Sequence, residues 1–488
     1  MKKHYATLIL FLLVSITNFS QAITAKIVDE DNQPISYANI VINTFGTISN
    51  EEGEFNIQKE KFKQTDKVII SYLGYKTLEF PVNELDSKTY ILEENINDLS
   101  KIEVSNKVYS LDEILEKVKE NIDSNYSNTL TKQQIFQRNT YYNKFKKFEF
   151  EFKKATLLKK KDIKSINKQL EDLITNNIDQ SSTDYSENLS ELYFGEKKQK
   201  IKILKATKLI NKEKDKSSDK LQSLLISTIG KHLEKGATYK VSSGLFPVED
   251  SLKIDDEFKK SLYKDSIKVQ NTRYSKLSII NDANLKNKKG LDFIHKTNKY
   301  AYSLAGTSRF GDEKIYIINF KPKRSSASYT GTLYVNAYDF AIMKIKYHYA
   351  KGKSISHNYK LLLGVKYAQS KKDIEIIYQK NELDKYYLKF YKRKSVSYAF
   401  VNRSIKFKKN RKDRSEDKRV IKMEFLIETD NAETTEFFVL QNEPLNKSEF
   451  NAVKEAKKYK LHYISKYSPE TWKGYNVISP VEEIKNYK

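Results

Sequence analysis

Apolar and polar positions alternate along most of this chain. From Ile23 to about Leu99 short apolar runs are separated by turn residues: "ITAKIV", then an acidic turn at Asp29–Asn32, Pro34, and "YANIVI". "EGEFNI" and "KVIISYLGYKTLEF" follow, and "KTYILEE" closes the set. Strands of this length spaced by turn signals predict a small antiparallel sandwich. The next segment changes period. Leu111, Ile114, Leu115, Val118 and Ile122 recur at helical spacing, and Ser110 with Glu113 forms a capping box at their start, so a packing helix is expected there. Phe148, Phe150 and Phe152 alternate with Glu149 and Glu151, as in a strand with one aromatic face. "KKKDIKSINKQLEDLITNNI" reads as an exposed basic helix, "QSSTDYSEN" as a loop, "KIKILKATKLI" as a strand and "SSDKLQSLLISTIGKHL" as a helix. From Thr272 to about Leu440 period-2 strands dominate, with Gly331 and the Asn336–Asp339 cluster expected to punctuate a hairpin.

The ends and the composition narrow the setting. Lys2 and Lys3, the apolar stretch Tyr5 to Ile16, and Ser20-Gln21-Ala22 have the three parts of a secretory signal, which predicts export and a mature chain from Ile23; an uncleaved anchor helix is the alternative. No cysteine occurs, which removes disulfide-linked partners and thiolate metal sites. Residues 23–104 hold eight lysines and no arginine against fifteen acids, whereas the whole chain carries +25. The basic remainder can attract an anionic membrane surface, or reflect a lysine-rich composition spread along the chain. Export argues against nucleic acid. The opposite charges also allow a contact between the acidic segment and the basic body.

Gly46, Thr47, Ser49, Gly53 and Phe55, followed by Val68 to Lys76 with Ser71, Tyr72, Gly74 and Tyr75, resemble the carboxypeptidase regulatory-like domain of exported Bacteroidota proteins. Pro34, Ile35, Ala38 and Ile40 match a further part of that pattern. The resemblance implies a seven-stranded transthyretin-like or Ig-like sandwich, with Gly74 as a strand bend between Tyr72 and Tyr75. Peptidase chemistry does not come with it. Zinc carboxypeptidases need a His-x-x-Glu pair and a distant His, and none of His232, His295, His348, His357 and His462 has Glu three places on.

The helix and "IFQRNTYYN" resemble a block in a family of uncharacterised envelope proteins, which show aromatic-Tyr-Arg-Glu where this chain has Phe136-Gln137-Arg138-Asn139. Tyr467, Pro469, Trp472, Tyr475 and Asn476 match the closing block of that family, and Trp472 is expected to be a structural plug. Tyr329 to Ile345 resembles a hairpin of lipoprotein-carrier half-barrels, which implies a curved sheet around an apolar cavity.

The expected fold class is therefore α+β, mostly β: a signal peptide at 1–22, a sandwich at 23–104, a helical and mixed connector at 105–271, an antiparallel half-barrel at 272–446 and a closing tail at 447–488. No G-x-S-x-G elbow, Walker loop, Rossmann fingerprint or H-E-x-x-H occurs, and Asp29–Asn32 lacks the ligand spacing of a calcium loop. No catalytic residue, cofactor or metal is assigned. The expected function is a non-enzymatic envelope protein holding an apolar or lipid-like ligand or a protein partner. The alternatives are docking to an outer-membrane machine and, further off, hydrolysis of envelope glycans.

Overall fold

A computed structural model describes residues 22–43, 45–97, 109–126, 130–156, 158–177, 181–210, 230, 233–244, 246–255, 266–311, 313–411 and 416–487. The leader expected at 1–22 and the helix expected at 217–233 fall almost wholly outside these residues.

Seven strands build the N-terminal module. One sheet has the order β4 (Glu54–Gln58), β1 (Ala22–Val28), β7 (Thr89–Ile91); the other has β3 (Phe45–Ile48), β2 (Asn39–Ile42), β5 (Lys67–Ser71), β6 (Leu78–Pro81). Ile27, Ile40, Phe55, Val68 and Ile70 alternate inward and form its core. The motif residues act locally. Ser49 Oγ donates to the Ile35 carbonyl at 2.7 Å and accepts from the Ala38 amide at 2.9 Å. Gly53 has φ +79°, and a Cβ there would lie 2.3 Å from the Ile27 carbonyl oxygen, so only glycine fits. The expected bend at Gly74 is a turn instead. β5 stops at Ser71, the Tyr75 amide bonds the Tyr72 carbonyl at 3.1 Å, and Gly74 takes φ +98° between the strands.

The rest of the chain forms one sheet of fifteen strands, beginning with β8 (Ile96–Asn97). β9 (Thr131–Ala155), β10 (Ser181–Phe194) and β11 (Gln199–Leu209) lie beside β22 (Glu416–Pro444), β21 (Tyr386–Asn410) and β20 (Val365–Lys380). β18 (Ile342–Tyr349), β17 (Tyr329–Asn336), β16 (Glu313–Pro322) and β15 (Tyr300–Phe310) continue it toward β8. The hairpin β12 (Thr238–Ser243) and β13 (Phe246–Lys253) joins at β21, and β19 (Ile355–Tyr359) at β20. A separate pair joins β14 (Ser266–Lys268) to β23 (Lys458–Lys460), and β24 (His462–Ile464) edges the large sheet beside β11.

Three expectations are corrected by this topology. The segment 105–271 is not a connector between domains, because β9 to β11 and the strands of 272–446 share one sheet. The link is the pairing of β9 with β22 along both lengths, across nearly 300 residues of sequence that no local pattern reports. Of the expected loop "QSSTDYSEN", the described part Ser181–Asn188 belongs to β10, its polar side chains tolerated because one face of the strand stays half exposed. Gly331 is no turn residue. It lies inside β17, where a Cβ would come 2.1 Å from the Lys346 carbonyl oxygen, and the turn falls after Asn336. Gly331→Ala must move backbone and is expected to lower stability by about 1–3 kcal/mol, measured by thermal unfolding.

Helix α1 (Leu111–Asn125) has both hydrogen bonds of the Ser110–Glu113 capping box and buries Ile114, Leu115, Val118 and Ile122. The expected basic helix is α2 (Lys160–Asn177). α1, α3 (Val269–Asp282) and the short α4 (Asp292–His295) pack on one face of the large sheet. Phe293 of α4 stacks on Phe320 with ring centroids 4.3 Å apart and lies 5.0 Å from Tyr347. The interior expected to take an apolar ligand is therefore filled by the chain's own helices.

Candidate functional site at the dock between module and sheet

The opposite face of the large sheet carries a transverse row of alternating charge. Register places Glu187, Arg138, Glu436, Lys392, Glu375 and Lys346 side by side on β10, β9, β22, β21, β20 and β18. Residues opposite one another in paired strands share a face, so Arg138 and Lys392 each lie between two acids and Lys346 ends the row beside Glu375. Arg138 is its most buried member, at 1% exposure. Its Nε donates to Glu187 at 2.8 Å and its Nη1 to Glu436 at 3.4 Å. The same guanidinium donates to the carbonyls of Ser479 at 3.2 Å and Ile478 at 2.8 Å. Trp472 Nε1 donates to the other oxygen of Glu187, and its ring meets Phe136 edge-on at 5.3 Å. Burial acts to lower the Arg138 pKa, and Glu187 and Glu436 outweigh it, so the cation is held.

The N-terminal module covers this row. Tyr37 stacks on Phe390 at 4.4 Å, donates to Glu436 at 3.5 Å and accepts from Lys392. Glu51 pairs with Lys392 and with Lys394. Tyr72 accepts from Lys344 at 2.6 Å and from Lys346 at 3.3 Å, and both lysines pair with Glu375. Burial pushes the Glu375 pKa up, but Lys344 and then Lys346 bring it below the usual carboxylate range. The tail is clasped from both sides: Asn50 donates to Pro480 at 3.1 Å and Lys61 to Gly474 at 2.8 Å. The expected attraction between acidic module and basic body is thus a set of named ion pairs.

Beside the row, between module and sheet, lies a cavity of about 250 Å³ lined by both parts. A more open and more polar groove of about 530 Å³ runs between α3 and strands β9 to β11. Of its acids, Asp184 pairs with Lys208 at 3.7 Å and Glu187 is committed to Arg138 and Trp472. Among the described residues one acidic cluster has metal-like spacing: Glu52, Glu54 and Glu482 have oxygens within 4.8 Å of one another. Lys485 already bonds Glu54 at 2.5 Å and Glu482 at 2.7 Å, so a lysine neutralises that cluster.

Of the residues singled out from sequence, Arg138 and Trp472 meet across Glu187, while Ser71 and Tyr72 line the dock and its cavity. Gly46, Gly53, Phe55, Gly74 and Tyr75 shape the module itself, and Gly331 lies in the sheet. Glu187, Glu436, Lys392 and Glu375 were not anticipated. Their period-2 positions reveal a face, and only strand register shows that they form a row.

Fold and site together define a mostly β protein in which an Ig-like module is held on a long antiparallel sheet by the partly buried pairs of Glu51 with Lys392 and Lys394 and by the Tyr37 and Tyr72 hydroxyls on the charged row. Residues 23–104 match the family CarboxypepD_reg-like domain, a non-catalytic module. No curated protein and no solved structure matches the chain.

Proposed function

We propose that this chain is an exported, non-enzymatic protein of the Bacteroidota cell envelope that works by binding, with its regulatory-like module and long sheet acting as one unit. The observation that carries this reading is the dock itself. The charges of the row are taken up by one another, by the closing tail and by Tyr37, Glu51 and Tyr72 of the module, which supports outward surfaces, and not a cleft of free acids and bases, as the working part. Cell fractionation with N-terminal sequencing tests it. A mature chain beginning at Ile23 in the envelope fraction supports the reading, and an unprocessed chain in the cytosol overturns it.

A second observation favours an anionic membrane surface as one binding target. β21 and β22 have 25 and 29 residues, which at about 3.3 Å per residue is roughly 80–95 Å. Toward their far end aromatic and basic side chains interleave: Lys360 lies 3.8 Å over the Phe400 ring, Lys366 5.5 Å over Tyr398, and Tyr359 and Tyr367 are exposed. Sedimentation with phosphatidylglycerol vesicles should fall steeply as salt rises and drop several-fold in a Lys360→Glu, Lys366→Glu variant. Equal binding to neutral vesicles would remove this target.

A further inference from the structure

The cavity at the dock has the make-up of a small-molecule site. Ile48 and Leu73 reach it from the module, and Phe310, Met343, Ile377 and Phe390 from the sheet. Its volume of about 250 Å³ falls just below the roughly 300–1,000 Å³ of drug-sized pockets, enough for a compact ligand and too little for a whole lipid.

One charge in its wall has no counterpart. Between the pairs Ile377–Phe390 and Tyr378–Leu388, β21 advances two residues while β20 advances one, and Lys389 is the extra residue of that bulge. Bulges re-aim side chains, and this one sends a lysine into the cavity wall. Lys389 is 7% exposed, and its Nζ lies 4.8 Å over the Phe438 ring. Among the described residues no carboxylate or hydrogen-bond acceptor takes up this ammonium. The other charged groups of the wall are satisfied. Lys380 pairs with Glu313 and Asp339, both at 3.1 Å, and Lys344 with Glu375 at 2.9 Å. The wall also holds Asn39, whose Oδ1 is buried with no hydrogen-bond partner.

We infer that this cavity binds a small monocarboxylate with a compact apolar tail, its carboxylate on Lys389 and its tail among Leu73, Met343, Ile377 and Phe390. A single negative charge matches the single unpaired ammonium. A phosphate ester would bring nearly two charges, and a neutral apolar molecule would leave the ammonium without a counter-charge in a largely apolar wall. Rotation of the Asn39 amide presents its Nδ2 to the second carboxylate oxygen. Burial alone lowers the Lys389 pKa to about 8, which leaves the ammonium mostly protonated at neutral pH. The inference stands apart from export and from membrane binding, because it concerns an interior site of the folded chain.

Titration calorimetry of the chain from Ile23 with octanoate, using 1-octanol as the neutral comparator, tests it. Octanoate should saturate one site and bind Lys389→Met at least tenfold more weakly, while 1-octanol binds that variant no worse than the parent. Leu73→Trp, which fills the cavity and keeps the lysine, should also abolish octanoate binding. Thermal unfolding of both variants confirms that they are folded. Equal octanoate affinity in parent and Lys389→Met, or no saturable binding at millimolar octanoate, overturns the inference.

Discussion

Replacing Arg138 with alanine is expected to lower the unfolding free energy by about 3–5 kcal/mol, a large share of the roughly 5–15 kcal/mol that holds an ordinary domain folded. The loss comes less from the missing attraction than from what is left behind. Glu187 and Glu436 are 7% and 5% exposed, and without the guanidinium two carboxylates would face each other across β9 in a site that excludes water. The carbonyls of Ile478 and Ser479 lose their donor at the same moment, so the closing tail should loosen along with the sheet. Urea unfolding measures the first effect, and the rate of tryptic cleavage within 468–487 measures the second. Lysine at this position should rescue little, since one ammonium cannot span two acids and two carbonyls as the planar fork does. Replacing Arg138, Glu187 and Glu436 together by Met, Leu and Leu should recover part of the loss, because no buried charge is then left uncompensated, although Trp472 Nε1, the Tyr37 hydroxyl and the carbonyls of Ile478 and Ser479 lose these partners. An Arg138→Ala protein with an unchanged urea midpoint would show that the buried row is not what holds module, tail and sheet together.

The second large effect has the opposite sign. Lys389→Met is expected to raise stability at pH 7 by about 1–3 kcal/mol, because the lysine carries a charge into a wall that lowers its pKa from 10.5 to about 8. At about 1.4 kcal/mol per pH unit that burial costs on the order of 3 kcal/mol, offset in part by the Phe438 ring. The pH dependence follows from the direction of the shift. Between about pH 8 and 10.5 the unfolded chain binds the proton that the folded chain has lost, so stability of the parent rises with pH across that window. The variant lacks this contribution, and its advantage should shrink as pH climbs toward 10.5. Lys276, buried against Gln137 with its pKa lowered to about 7, and Lys344, lowered by burial to about 8, add the same rise to both proteins, which makes the difference curve report Lys389. Chemical denaturation at pH 7, 8.5 and 10 measures it, and a variant advantage that stays constant or grows with pH contradicts the assignment. A residue that destabilises its own fold in an apolar cavity is what a binding group for an anion would be.

Much of the module was readable before any fold was known. Ser49, Gly53 and Phe55 act within a few residues of themselves or on the next strand, so their spacing carries their roles. The α1 capping box is local in the same way, and so is the hairpin turn after Asn336. Gly331 and Gly74 show the limit of such reading. The sequence pattern makes Gly331 a hairpin signal and Gly74 a bend within a strand, but the first is required by the Lys346 backbone beside it and the second lies in a turn after its strand has ended. The sheet spanning 131–444 was harder still. β9 lies in a lysine-rich stretch with few continuous apolar runs, and its partner β22 begins more than 250 residues later.

The amino-acid sequence alone determined the strand-rich class, the regulatory-like module at 23–104, the first helix and the opposite charges of module and body, because each of these depends on periodicity or composition within a short window. Only the tertiary structure decided that Glu187, Arg138, Glu436, Lys392, Glu375 and Lys346 form one row, that Tyr37 and Tyr72 seal it, and that Lys389 faces a cavity without a counter-charge. Those facts depend on register between strands far apart in the chain. A shift of one residue in any of those pairings would turn the row to the other face.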